Sequence, residues 1–157
     1  MAGTSVLGNQ VLIVGNQARI AAVLWLFALL LWALIMYTFF IAMTVRDNKP
    51  SIESGLNGAW LLAVVATQSI SVLGTLLVGR FADYREPLLF FTLCMFLLGC
   101  MLYVPLITLI FYRFTFVNIT TASLTPPYWI NMGAVAITTL AGARLIIAAP
   151  EWTLLAQ

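Results

Sequence analysis

A chain of 157 residues with 63% hydrophobic and 8% charged residues, and a mean hydropathy of +1.07, lies far from soluble proteins, in which about a quarter of residues are charged. The formal net charge of +2, with no His, is too small to point to nucleic acid or an acidic partner. These figures exclude a soluble globular domain and define an all-α integral membrane protein, because lipid leaves backbone groups no partners outside a helix.

Residues 1–18 contain the short apolar run VLIVG, but no Lys or Arg precedes it as a signal peptide would require. GNQ occurs at Gly8 to Gln10 and again at Gly15 to Gln17, and the segment reads as the remnant of a preceding helix. Four spans follow, drawn from the charges. About 20 apolar residues cross a hydrocarbon layer of about 30 Å, and a central Asp, Lys or Arg costs roughly 2.5 to 3.5 kcal/mol.

The first span, about 20–46, is bracketed by Arg19 and Arg46 and is bulky all round, with no polar face. The second, about 56–79, stops at Arg80 and carries Gln68, Ser71 and Thr75 at helical spacing on one face. The third, about 87–112, stops at Arg113, is again bulky, and contains Pro105, which is expected to kink it. The fourth, about 126–148, starts at Pro126 and carries Asn131, Thr138 and Gly142 beside Ala134 and Ala141, with Arg144 in its last turns. Trp152, just beyond, is of a type that anchors at interfaces. The whole chain reads as one membrane domain, 1–157.

Two textures therefore alternate: bulky first and third spans suited to lipid, and second and fourth spans with small and polar faces. Such faces either line a solute path or bind helix to helix, at roughly 0.6 to 2 kcal/mol per contact. Arg144 either snorkels to the interface or attracts an anion. Arg19, Arg80, Arg85 and Arg144 stand against Arg46, Lys49 and Arg113, so the positive-inside rule leaves orientation open.

No catalytic group is expected. The spans contain no Asp or Glu, and no Cys, His or carboxylate cluster has ligand spacing, so neither an enzyme, a metal site nor another cofactor is implied. Cys94 and Cys100, both in the third span, read as small apolar thiols. GRFADYRE, from Gly79 to Glu86, resembles the G-x-x-x-D loop of major facilitator transporters but lacks its second glycine and basic cluster, and reads as a charged topological anchor. Asn118-Ile119-Thr120 has the form of an N-glycosylation sequon.

WLLAVVATQSISVLG, from Trp60 to Gly74, resembles the W-L-L-x-V-V-A segment of the tellurite-resistance/dicarboxylate transporter family, related to the plant slow-type anion channels. TPPYWINMGAVAITTLAG, from Thr125 to Gly142, is similar to another inner helix of that family, and LGNQ, from Leu7 to Gln10, to the end of an earlier one. The resemblance implies ten helices in five hairpins, with inner helices around a pore and outer helices behind them. This chain would supply about helices four to seven, the second and fourth spans being inner ones. The family often has Pro where Ala63 stands, and many members have Pro in the inner helix where this chain reads GAVAI, so helix kinks are expected to differ. The residue that occludes some relatives belongs to a later helix and is not carried over.

The expected function is transport of small anions across the cytoplasmic membrane, as a segment of a permease or channel. The anions would be C4-dicarboxylates such as malate, tellurite- or sulfite-like ions, or inorganic ions. Gln68, Ser71, Thr75, Asn131 and Thr138 would face the pathway, and Arg144 would attract the anion. A helix N-terminus capped by Thr125 would add partial positive charge. Two inner helices cannot close a ring, so the chain is expected to be a fragment completed by the remaining helices of a parent protein, or else by a homo-oligomer. The alternative is a self-contained four-helix membrane subunit that binds or stabilises a partner.

Overall fold

The computed structural model describes residues 1–49, 51, 55–118 and 126–152. Among the described residues five α-helices of more than ten residues follow one another: α1 (Ala2–Ile13), α2 (Ala18–Val45), α3 (Leu62–Val78), α4 (Arg85–Phe116) and α5 (Ile130–Ala148). Helices α2 to α5, with the short 3-10 turns that lead into three of them, are long and apolar enough to cross a membrane. No strand occurs among the described residues.

Each helix begins where local chemistry allows it. The Asn57 side chain accepts a hydrogen bond from the Ala59 N–H at 2.9 Å, capping the Gly58–Leu61 turn that leads into α3. Pro126 and Pro127 open the Pro126–Trp129 turn before α5, where their fixed φ suits a helix start. Helix α4 remains one helix through Pro105, and α3 and α5 are continuous at Ala63 and over residues 133–137. Thr125, the expected cap of the fourth span, lies outside the described residues, as do Ile119 and Thr120 of the sequon.

The turn between α1 and α2 bends at Asn16, which has a φ of 50°, a left-handed conformation that Asn tolerates better than most residues. Residues 1–18 thus hold a helix that folds back on α2 and packs against α3. The close approach rests on Gly8, where an added Cβ would stand 2.5 Å from Leu73 Cδ2.

Helix α3 is the centre of the structure. Its most apolar stretch is 83% buried, against 17% for α2, 22% for α4 and 17% for α5. Leu61, Val64, Ile70 and Leu73 are fully enclosed, while α2 exposes Leu26, Leu30 and Leu34, and α4 exposes Phe90, Leu97 and Met101. Those outward side chains meet lipid, which explains why α2 and α4 are bulky without a polar face. Helix α5 packs on α3 and α4 through Ala134, Ala141 and Leu145 and leaves its other side uncovered.

Charge placement predicts that the third span stops at Tyr112, whereas α4 continues to Phe116. The Arg113 guanidinium is not left to hydrocarbon. It donates to the Leu56 carbonyl and to the Tyr128 hydroxyl, and lies over the Tyr128 ring at 5.7 Å. Gly58 permits this junction, because a Cβ there would collide with the Pro127 carbonyl. Trp152, expected at an interface, is instead buried against Val78 and Leu89, closing the opposite end.

Candidate functional site

The polar side chains of α3 are all buried, so each needs a partner inside the protein. Gln68 Nε2 donates to the Phe96 carbonyl at 3.2 Å and lies 3.8 Å from Cys100 Sγ. Ser71 Oγ donates to the Thr92 carbonyl at 2.8 Å, one turn further along the same helix pair. Both bonds cross from α3 to α4. The helices approach closely because Gly99 faces Gln68 and Gly74 faces Thr92 and Trp25.

Thr75 Oγ1 donates to the Ser71 carbonyl within its own helix at 2.8 Å, as Thr138 Oγ1 does to Ala134 in α5 at 2.7 Å. Asn131 is half-buried at the start of α5, and its Oδ1 has no hydrogen-bond partner among the described residues; the same is true of Gln68 Oε1. Gly142 on α5 rests against Phe96 of α4, where an added Cβ would be 3.3 Å from the ring. The stripe Gln68, Ser71 and Thr75 is therefore continuous, and its first two members spend their donors on α4.

Thr75 and Arg144 are brought together. A pocket of about 190 Å³ between the C-terminal ends of α3 and α5 is lined by both, with Gly79 and Ala148 beside them. Arg144 is half-buried, and its guanidinium has no hydrogen-bond or ion-pair partner among the described residues. Among the described residues it carries the only charge on the pocket wall. Asn131, near the other end of α5, lies three to four helical turns from Arg144.

Two indoles hold α2 on α3 in a way the residue pattern did not suggest. Trp25 Nε1 donates to the Ile70 carbonyl at 2.9 Å, and Trp32 Nε1 to Thr67 Oγ1 at 2.9 Å, while Thr67 itself donates to the Ala63 carbonyl. A Trp N–H inside an apolar span must find an acceptor, which was the available signal. Cys94 is exposed and Cys100 half-buried, and neither forms a disulfide. No group of three or more metal-ligating side chains occurs among the described residues.

The profile of the voltage-dependent anion channel (SLAC1) family matches residues 1–155. Two uncharacterised membrane proteins of Mycobacterium tuberculosis, MT1776 of strain CDC 1551 / Oshkosh and Rv1735c of strain ATCC 25618 / H37Rv, are each 49% identical over 45 residues. That segment is 29% of this chain and only 23% of the length of either relative. No solved structure gives a significant match. The segments Trp60 to Gly74 and Thr125 to Gly142 resemble the same family that the profile identifies over nearly the entire length. With its four apolar helices, the chain belongs to the voltage-dependent anion channel family.

Proposed function

We propose that the chain forms part of the wall of a small-anion pathway in the cytoplasmic membrane, with Arg144 attracting the anion at one membrane end. The supporting observation is the half-buried guanidinium of Arg144, which lies beside Thr75 and has no partner among the described residues. A partly shielded cation without a carboxylate beside it draws a counter-ion, and within a membrane-spanning helix such a residue marks an ion path by default. Membership of an anion-channel family agrees in sign.

The other pathway candidates have graded roles in this reading. Thr75 borders the Arg144 pocket directly. Gln68 and Ser71 set the spacing between α3 and α4, and Asn131 and Thr138 sit on the α5 side of the same wall. The pocket, of about 190 Å³, has room for an inorganic anion, for a sulfite- or tellurite-like oxyanion and for a C4-dicarboxylate such as malate. Further helices of a ten-helix arrangement, or other copies of the chain, would complete the ring.

Anion flux into liposomes tests this. Arg144→Gln is expected to reduce flux about tenfold and Arg144→Lys to retain most of it, with smaller losses in Gln68→Leu and Asn131→Leu. Unchanged rates and selectivity in all four variants would sink the assignment.

A partner-binding membrane subunit is the second reading. It is supported by the interhelical use of Gln68 and Ser71 and by the uncovered side of α5, where Ala136, Thr139 and Ala143 are spaced for close helix contact. Loss of complex assembly in Ala136→Phe, with no anion flux in the unaltered protein, would favour it.

A further inference from the structure

A second, larger cavity lies on the lipid side. A cleft of about 540 Å³ opens between the first turns of α2, the end of α3 and the first turns of α4, lined among others by Ala22, Trp25, Leu77, Phe81, Leu88 and Phe91. No charged side chain lines it. Its walls are set in advance. Leu77 belongs to the buried core, Trp25 is tied to the Ile70 carbonyl, and the Trp25 and Phe91 rings meet edge to face with centroids 5.6 Å apart.

The depth is informative. Phe91 is six residues into α4, so at 1.5 Å per residue the cleft reaches about 10 Å below the helix end. That is acyl-chain depth just beneath the headgroups. Water entering there would find an almost wholly apolar wall, with the Tyr84 hydroxyl at its rim, whereas the two helices flanking the mouth expose apolar side chains.

The mouth carries positive charge. Arg19 lies three residues before Ala22, on the same face of α2 and one turn nearer the membrane surface, and it is exposed. Arg80 adjoins the lining residue Phe81, and its Nη2 donates to Asn16 Oδ1 at 2.6 Å, which holds it beside the start of α2. The nearby acids are Asp83, in the Ala82–Tyr84 turn between the lining residues Phe81 and Tyr84, and Glu86 in the first turn of α4, with Arg85 between them, so that basic groups around the mouth, Arg19, Arg80 and Arg85, outnumber acidic ones by one. Tyr84, exposed at the same level, presents the aromatic-with-hydroxyl character of an interfacial side chain.

We propose that this cleft holds one acyl chain of an anionic phospholipid whose phosphate group lies between Arg19 and Arg80. The site is separate from the Arg144 pocket, which is lined by other residues between α3 and α5, and does not depend on the transport reading.

Native mass spectrometry of the chain purified in mild detergent tests the proposal, with phosphatidylglycerol and phosphatidylcholine of identical chains as probes. Phosphatidylglycerol is expected to be retained at least fivefold better, and Arg19→Gln combined with Arg80→Gln to remove that preference. Arg46→Gln with Lys49→Gln, at the opposite end, should leave it intact. Ala22→Phe, which fills the cleft, should lower retention of both lipids. Equal retention of the two lipids by the unaltered chain, or an unchanged preference in the Arg19/Arg80 double variant, overturns the headgroup assignment. Phosphatidylglycerol brominated along its chains gives a readout that needs no filled cleft, because it should quench a portion of tryptophan emission that is lost in Trp25→Phe. Quenching that persists unchanged in Trp25→Phe places the chain elsewhere and overturns the proposal.

Discussion

Gln68 occupies the space that Gly99 leaves open on the facing helix. A Cβ at position 99 would stand 2.5 Å from Gln68 Nε2 and 2.6 Å from Cδ, distances no real packing accommodates. The glycine and the amide form one unit, which also lets Nε2 reach the Phe96 carbonyl.

Gly99→Ala is therefore expected to lower stability by about 1 to 3 kcal/mol through overpacking. In a Gln68→Ala background the cost should largely vanish, giving a coupling of about 1 kcal/mol or more. Reversible unfolding in mixed micelles measures both. Equal costs in the two backgrounds would mean that the loss does not arise from the contact of position 99 with Gln68.

The Arg113 junction joins the end of α4 to the entries of α3 and α5. Arg113→Met keeps the apolar stem but deprives the Leu56 carbonyl and Tyr128 hydroxyl of their donor, at an expected cost of roughly 2 to 3 kcal/mol. Tyr128→Phe should cost less, about 0.5 to 1.5 kcal/mol, since the carbonyl bond survives. Thermal unfolding of the two variants in the same detergent gives the order.

Trp32→Phe removes the donor to Thr67 Oγ1 but preserves most of the ring volume. The loss should be about 1 kcal/mol, because the Thr67 hydroxyl still donates to the Ala63 carbonyl, and Thr67→Val should add little in that background, since no indole N–H is then left without its acceptor. A chemical-unfolding cycle over the four proteins checks this.

Attraction by Arg144 acts through a partly exposed charge and so must fade with salt. The Debye length falls from about 30 Å at 0.01 M to about 3 Å at 1 M ionic strength. The flux ratio between the unaltered protein and Arg144→Gln is expected to shrink severalfold over that range. A salt-independent ratio would assign Arg144 a direct contact or a structural role in place of long-range attraction.

The sequence by itself determined the class and the count: an all-α membrane protein with four spanning helices. Exclusion of charge from hydrocarbon and the length needed to cross it act along the chain, so Arg19, Arg46 and Arg80 mark boundaries without reference to any neighbour. The bulky texture of α2 and α4 was legible for the same reason, since lipid contact asks only for apolar bulk. The stripe of Gln68, Ser71 and Thr75 could also be read, because helical spacing alone places them on one face.

What that face meets was decided only by tertiary structure. Rotation of α3 against its neighbours depends on where Gly99, Gly74 and Gly8 allow backbones to approach, and those pairings join residues far apart in the chain. Hence Gln68 and Ser71 turned out to bond to α4, and α3 became the enclosed centre while α5 remained half uncovered. Arg113 seemed a boundary until the Leu56 carbonyl and Tyr128 gave it a buried seat, letting α4 run on. The meeting of Thr75 with Arg144 likewise required the ends of two helices about 70 residues apart to pack side by side, which spacing along one helix cannot express.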